Sequence, residues 1–471
     1  MGLSVALQDA ITGLRATQNQ IQVISGNVAN AQTAGYSRQT LSQTSITTPA
    51  GGVGVNTGII KRVTDQLLTS NLSKQSSTAS AASTANDYLN QLQSLLGQVG
   101  AGTSFTDSFN TFVGSMQTLA ATPEDPVAQS AVVSAGQQLT QQLNDFSAGI
   151  QTLRTSTDTD LGSSVSTLNA SLQTIGTLNS SIERLQATGQ STATLEDQRD
   201  QALNQVAQLT GVTSYTRADG TMMVYSAGGQ SLVDGSTVAS FGYTQAGTVT
   251  AGTPLSPVTL NGVDVTSTMT TGKVGALLQL RNTALPAVTA ELNRFANNLY
   301  AAGNFANLNT TNSGTNTTND AHNIFGNVNI TTGIDNASTI EMNPSLVQNP
   351  TLLYNGTSGV DPSISATIMN NLNGNASFAA AGNFTTSTTT TLSNYGAQII
   401  GQISTAAAAA TQNNTYQSQL QTSIQSQVQA NSGVNLDQEL GNLSIYQNAY
   451  GASARVISTI QSMYQALMAI N

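Results

Sequence analysis

Few residues of this chain have the types and spacing for chemistry. Glu196, Asp197 and Asp200 crowd around Arg199 in a sequence with only 8% charged residues. Paired carboxylates can serve as general acid and base, or cleave a glycosidic bond. On a helix, however, Glu196 and Asp200 stand one turn apart beside Arg199, which is the ordinary arrangement of a solvated or salt-bridged face. The salt-bridged face is the expectation, and a secreted hydrolase using this cluster is the alternative. His322, the single histidine, has no cysteine and no carboxylate pair near it in sequence, so neither a metal site nor a Ser-His-Asp triad is advertised. It is expected on the surface. Gly51, Gly52 and Gly54 lack the following Lys-Ser/Thr of a phosphate-binding loop and are expected in turns. No catalytic, metal-ligating or cofactor-binding residue is assigned, and no cofactor is expected.

The rest of the composition points away from chemistry. Ser, Thr, Asn, Gln, Ala and Gly fill most of the 471 residues, and tryptophan and cysteine are absent. Disulfides and thiolate zinc sites are therefore impossible. A net charge of -10 lacks the basic footprint that phosphate backbones and anionic lipid surfaces attract, which argues against nucleic acid and membrane partners. Met1 to Ala10 has no basic start, continuous apolar core or cleavage site, and no run approaches the ~20 apolar residues of a membrane span. The chain reads as cytosolic, or as exported by a route that leaves its N-terminus uncleaved.

The strongest periodicity lies at the two ends. Leu3, Leu7, Ala10, Leu14, Thr17, Ile21, Ile24 and Val28 alternate steps of four and three, and so do Leu443, Tyr446, Tyr450, Ser453, Ile457, Ile460, Tyr464 and Leu467. Each is a coiled-coil-like seam with one small hydroxyl residue as its break. Spacing alone is compatible with two helices packed into a private core and with a surface for neighbouring subunits. Leu3, Leu7, Leu14, Ile21 and Ile24 are expected to face Tyr450, Ile457, Ile460, Tyr464 and Leu467.

Between these ends the chain reads as mainly α with inserted β. Asn30 to Tyr36 stops the first helix, with Gly35 suited to a positive φ. An irregular stretch around Pro49 and Gly51 to Gly54 follows, and helical composition returns from Ile59 to Gly97 and from Phe105 to Leu119. Asp125 and Pro126 form an N-cap and first-turn pair. Helices are expected over 126–156, 158–187 and 193–209. Residues 211–270 carry β-formers punctuated by Asp219-Gly220, Gly228-Gly229, Asp234-Gly235 and Asn261-Gly262, the signals of a small antiparallel domain. Helix resumes over 275–300 and again over 392–429, while 307–321 is a low-complexity loop. The expected organisation is a terminal helical assembly domain (1–40 and 431–471), a helical bundle (41–210, 271–306 and 390–430), the inserted β domain (211–270) and a loop-rich, β-containing outer region (307–389).

The stretch Ser25-Gly26-Asn27-Val28-Ala29-Asn30-Ala31-Gln32-Thr33-Ala34-Gly35-Tyr36-Ser37-Arg38 resembles the N-terminal signature of flagellar axial proteins, the rod, hook and hook-associated family. Asn27, Asn30, Thr33, Gly35 and Tyr36 carry that likeness. Leu195 to Asp200, leading through Leu209-Thr210-Gly211-Val212 into a hairpin, and Ser432 to Glu439, followed by Tyr446-Gln447 and Ala452 to Ile457, resemble segments of hook-associated members. The resemblance implies a structural, non-enzymatic subunit exported through the flagellar type III apparatus to the outside of the cell. It further implies a ring of like subunits joining hook to filament, with neighbouring hook, junction and filament proteins as partners. An export chaperone binding the C-terminal region is also implied. A rod, hook or flagellin-like subunit is the alternative within the family.

Overall fold

The computed structural model describes residues 2–47, 53–97, 100, 102, 104–304, 323–329, 335–356, 359–360, 363–379 and 388–469. His322 and the 307–321 stretch lie outside the described residues. The N-terminal helix α1 (Gly2–Asn30) leads into a hairpin of β1 (Gln39–Thr47) and β2 (Val53–Arg62). Its register runs from Gln39 opposite Arg62 to Thr47 opposite Val53, interrupted by a bulge between Leu41 and Gln43. Pro49, Gly51 and Gly52 lie outside the described residues; Gly54 stands in β2 instead of the expected turn, and β2 runs to Arg62 in place of the helix expected from Ile59. Strand β1 is Thr-, Ser- and Gln-rich, and Ile46 and Ile59 are exposed, so the burial of alternate apolar residues that marks a strand is weak here.

The body is built on long helices: α2 (Gln66–Leu96), α3 (Phe105–Ala121), α4 (Pro126–Ala187) and α5 (Ala193–Leu209). Helix α4, with Asp125 accepting from the Val127 amide at 2.9 Å and Pro126 in its first turn, extends for 62 residues. At 1.5 Å per residue it is about 90 Å long. The break expected near residue 157 does not occur. Thr155, Ser156 and Thr159 hydroxyls donate to carbonyls four residues earlier, and Thr157 to Arg154, so the hydroxyl cluster is absorbed within the helix. Asp158 is held by Tyr243, by Arg281 and by the Ala246 amide.

Two small antiparallel sheets flank α4. One is formed by β3 (Val212–Thr216), β4 (Met222–Ser226), β5 (Ser231–Asp234) and β6 (Thr237–Val238) in sequence order. The other is formed by β7 (Phe241–Gly242), β8 (Thr259–Leu260) and β9 (Val263–Asp264). Asn261 and Gly262, both at positive φ, make the two-residue turn between β8 and β9. Helices α6 (Gly272–Gln279) and α7 (Leu285–Ala302) are joined by a π-helical turn, Leu280–Ala284, which carries the buried Arg281 towards Asp158.

The remaining segments are short: β10 (Phe325–Gly326), α8 (Asn336–Thr339), β11 (Glu341–Met342), α9 (Pro344–Gln348), β12 (Asn355–Gly356), β13 (Gly359–Val360), α10 (Ser363–Asn373), β14 (Asn375–Phe378) and β15 (Thr388–Thr391). They lead to α11 (Leu392–Ser432) and α12 (Leu436–Met468). Helix α11 runs antiparallel to α2 on a seam of small and polar side chains. Gln75 donates to Gln417, Gln421 to Ser76 and Asn90 to Thr411. The apolar centre of the body is aromatic, with Phe295 edge-on to Phe105 and Phe109 at centroid distances of 5.0 and 5.6 Å. That core is continuous from α2 to the first half of α11. The buried apolar residues of the terminal unit, Ala16, Val23, Ile24, Leu41 and Ile460, are not part of it.

Candidate assembly site at the paired chain ends

Helix α1 packs against α12 on one side and against the β1–β2 hairpin on the other. Side-chain hydrogen bonds fix both contacts. Gln20 Nε2 donates to the Leu41 carbonyl at 3.1 Å and to Tyr446 Oη at 3.4 Å, while Thr12 Oγ1 accepts from the Val55 amide at 3.2 Å. Asn27 Nδ2 donates to Glu439 Oε2 at 3.2 Å. Asn27 lies one heptad after Gln20, and Glu439 one heptad before Tyr446. The two helices are therefore antiparallel and keep a common seven-residue register.

Not every residue of the expected seams is covered. Ile24 and Ile460 are buried, and Leu3, Leu7, Leu14, Ile21, Val28, Leu443, Tyr446 and Ile457 are half-buried. Tyr450, Tyr464 and Leu467 are exposed, so α1 does not cover them. Thr17 sits inside and donates to the Gly13 carbonyl at 2.7 Å, which satisfies the hydroxyl at a seam position. Ala16 and Val23, outside the expected seam, are buried as well. The physical reason is the hairpin: α1 has two neighbours, and a single seven-residue seam describes only one of them.

The residues of the Asn27 to Tyr36 loop form a closed network. Asn27, 1% exposed, uses its amide fully: Nδ2 also donates to the Gln39 carbonyl, and Oδ1 accepts from the Gln39 amide and from Tyr36 Oη, each at 2.9 Å. Burial, with the charges of Asp197 and Glu439 nearby, pushes the Tyr36 phenol up to about 12. Asn30 donates to the Gly26 carbonyl and Thr33 to Asn30, which closes the helix end. Gly35 has φ +77°, and a Cβ there would strike the Gln201 side chain, whose Nε2 donates to the Ala34 carbonyl at 2.9 Å.

Glu439, which sequence reasoning missed, is the charge at the centre of this network. It is 2% exposed, and Arg38 Nε reaches it at 2.8 Å. The available signal was the rarity of charge: an acid and an arginine beside apolar seams in a chain with 8% charged residues. Asn435 caps α12 by accepting from the Gln438 amide.

The acidic cluster of α5 sits beside the same loop. Arg62, at the end of β2, places Nε 2.8 Å from Glu196, and Nη1 2.8 Å from Asp197 and 2.7 Å from Asp200. Asp197 also accepts from the Ser37 amide at 3.2 Å. Arg199 points the other way: it is buried and donates to Asn179 Oδ1 at 3.0 Å and to the Gly220 carbonyl at 2.6 Å. The expected pairing of the acids with Arg199 is thus replaced by pairing with Arg62, and all three carboxylates are engaged in ion pairs. Among the described residues no cluster of metal-ligating side chains occurs, and no helix is long and apolar enough to cross a membrane.

Three comparisons bear on this architecture. Residues 89–324 match the family described as the flagellar hook-associated protein FlgK helical domain. The chain belongs to the FlgK family. Members are structural, hook-associated proteins of the flagellum. The paired ends match two further families: residues 7–36 the flagella basal body rod protein, and residues 425–470 the flagellar basal body rod FlgEFG protein C-terminal region. Flagellar hook-associated protein 1 of Salmonella typhimurium is 24% identical over 555 aligned positions, covering 99% of this chain and all of the relative. The same protein of Escherichia coli is 25% identical, with the same coverage of each chain. The solved flagellar hook junction protein FlgK of Burkholderia pseudomallei is similar at 25% identity and a TM-score of 0.45, over 55% of this chain and 46% of that one. The alignments with the Salmonella and Escherichia relatives are longer than the 471 residues here, so those relatives carry segments this chain lacks.

Proposed function

We propose that this protein is a subunit of the hook-filament junction and that it assembles by burying α12 against neighbouring subunits. One observation carries the reading. Among the described residues, eighteen large apolar side chains are exposed, and nine of these belong to the 33 residues of α12: Leu436, Leu440, Ile445, Tyr450, Val456, Met463, Tyr464, Leu467 and Met468. Such a concentration on one element marks an interaction surface. Ile445, Val456, Met463 and Leu467 fall on one stripe of the helix, beside the face turned to α1. Burying each fully contributes about 1.5–3 kcal/mol.

On this reading residues 1–40 and 431–471, together with the β1–β2 hairpin packed on α1, are the assembly domain. The α1–α12 pair forms within each subunit, and the uncovered face of α12, with Tyr450, Tyr464 and Leu467, pairs between subunits of a ring and with the adjoining hook and filament proteins. The chain is exported through the flagellar route with α1 retained, because α1 is part of the folded terminal unit. An export chaperone covers the apolar face of α12 until assembly. The protein is not an enzyme: Glu196, Asp197 and Asp200 serve as ligands of Arg62, and its work is mechanical continuity.

The test uses Ile445→Asp and Val456→Asp. Each should leave the thermal unfolding of the purified chain within about 0.5 kcal/mol of the parent, since the sites are exposed. Each should abolish incorporation into flagella and swimming of the complemented deletion strain. A variant that folds and restores full motility would refute the proposal.

A further inference from the structure

The terminal unit, α1, β1, β2 and α12, meets the helical body in an unusual way. Two chain crossings join them, residues 63–65 between β2 and α2 and residues 433–435 between α11 and α12. The crossings lie side by side, with the Arg38 amide donating to the Ser432 carbonyl and the Val63 amide to the Arg38 carbonyl, both at 2.8 Å. The buried apolar residues of the unit do not join the core of the body. Among the described residues, the hydrogen bonds between the hairpin side and the body away from the crossings fall on α5 and the residues just before it. They are the three Arg62 ion pairs, the Ser37 amide to Asp197, Gln201 to the Ala34 carbonyl and Ser191 to the Ile60 carbonyl.

Beside this row lies a cavity of about 450 Å³ with walls from both sides: Gly35 and Tyr36 of the loop, Leu72 of α2, Asn204 of α5 and Val428 of α11. Asn204 Oδ1 is buried there without a protein partner. A joint with two adjacent crossings, one lateral polar contact and free volume next to it has the parts of a hinge. The lateral contact is strong but conditional. One largely buried guanidinium bonds to three carboxylates, and without it Asp197 and Asp200 repel each other on neighbouring positions of one helix turn.

We propose that Arg62 is a latch. Engaged with Glu196, Asp197 and Asp200, it fixes the angle between the hairpin and the helical body. Disengaged, it lets the hairpin, with α1 and α12 attached, pivot about residues 63–65 and 433–435 into the adjoining space. The latch gives the acidic cluster of α5 a conformational role, and it operates in the isolated chain whether or not the α12 surface assembles as proposed.

Pulsed electron paramagnetic resonance on the full-length chain tests it. The sequence has no cysteine, so introduced pairs label cleanly. Labels replacing Thr44 on β1 and Thr174 on α4 report the hinge, and labels replacing Thr174 and Thr405 on α11 report the body. Arg62→Met should broaden or displace the Thr44–Thr174 distances and leave Thr174–Thr405 unchanged. Arg62→Lys should have a smaller effect, since one ammonium keeps the charge but not the fork that spans three carboxylates. The double substitution Glu196→Gln and Asp200→Asn removes the acceptor charge from the other side and should broaden the same pair. An unchanged Thr44–Thr174 distribution in Arg62→Met or in the double variant overturns the latch. So does equal broadening of the body pair.

Discussion

Asn27 and Glu439, 412 residues apart in sequence, share a buried hydrogen bond of 3.2 Å, Nδ2 to Oε2. Through it the loop that closes the first helix is tied to the first turn of the last one, and Arg38 holds the other carboxylate oxygen. Glu439→Ala should lower the stability of the terminal unit by about 2 kcal/mol, because Asn27 and Arg38 lose a charged acceptor in a buried site. A double-mutant cycle with Asn27→Ala in urea unfolding should show coupling. Additive effects would mean that the pair contributes nothing specific.

The separation of the two cores predicts two thermal transitions. Phe295→Ala, in the aromatic centre of the body, should cost about 3–5 kcal/mol there. Ile24→Ala should lower only the transition of the terminal unit. Scanning calorimetry in which both variants shift one common transition would contradict independent cores.

The Tyr36 phenol, pushed up to about 12 by burial, sets an alkaline signature. An unfolded tyrosine loses its proton near 10, so between pH 10 and 12 the unfolded chain binds fewer protons than the folded one. Stability should therefore fall as pH rises through that window. Burial raises Tyr88, Tyr243 and Tyr395 as well, and they add to the slope. Tyr36→Phe should remove its own share of the slope while costing about 1 kcal/mol at neutral pH through the lost bond to Asn27. A slope identical to the parent in alkaline unfolding curves would show that Tyr36 is not the group responsible.

Amide exchange should divide α12 from α4. Residues 461–469 are all exposed, whereas α4 buries a side chain on nearly every turn. In a dilute monomer, exchange over 461–469 should approach that of an unprotected chain, and 139–175 should exchange slowest. Equal protection of the two segments would argue that α12 is stabilised without a neighbour.

Much of the fold was legible because its determinants are local. The Asp125-Pro126 pair announced the start of α4, the 193–209 helix was read to its ends, and Asn261-Gly262 made the turn its backbone requires. These signals join a side chain to backbone a few residues away. The antiparallel terminal pair was legible in part, since seven-residue spacing records that a helix has an apolar partner.

Spacing did not record a second partner. That α1 is covered by a hairpin as well as by α12 became visible only in three dimensions, because β1 is polar and mostly exposed. The same holds for the charges. Arg62 and the acids of α5 are more than 130 residues apart, as are Arg38 and Glu439, and an ion pair leaves no periodic trace at either end. The sequence by itself therefore determined most of the helices, the Asp125-Pro126 start of α4, the Asn261-Gly262 turn and the resemblance to the family. Which charge meets which, where α4 refuses to break, and which face of α12 stays uncovered were decided by the tertiary structure, since each depends on groups that only folding brings within hydrogen-bond reach.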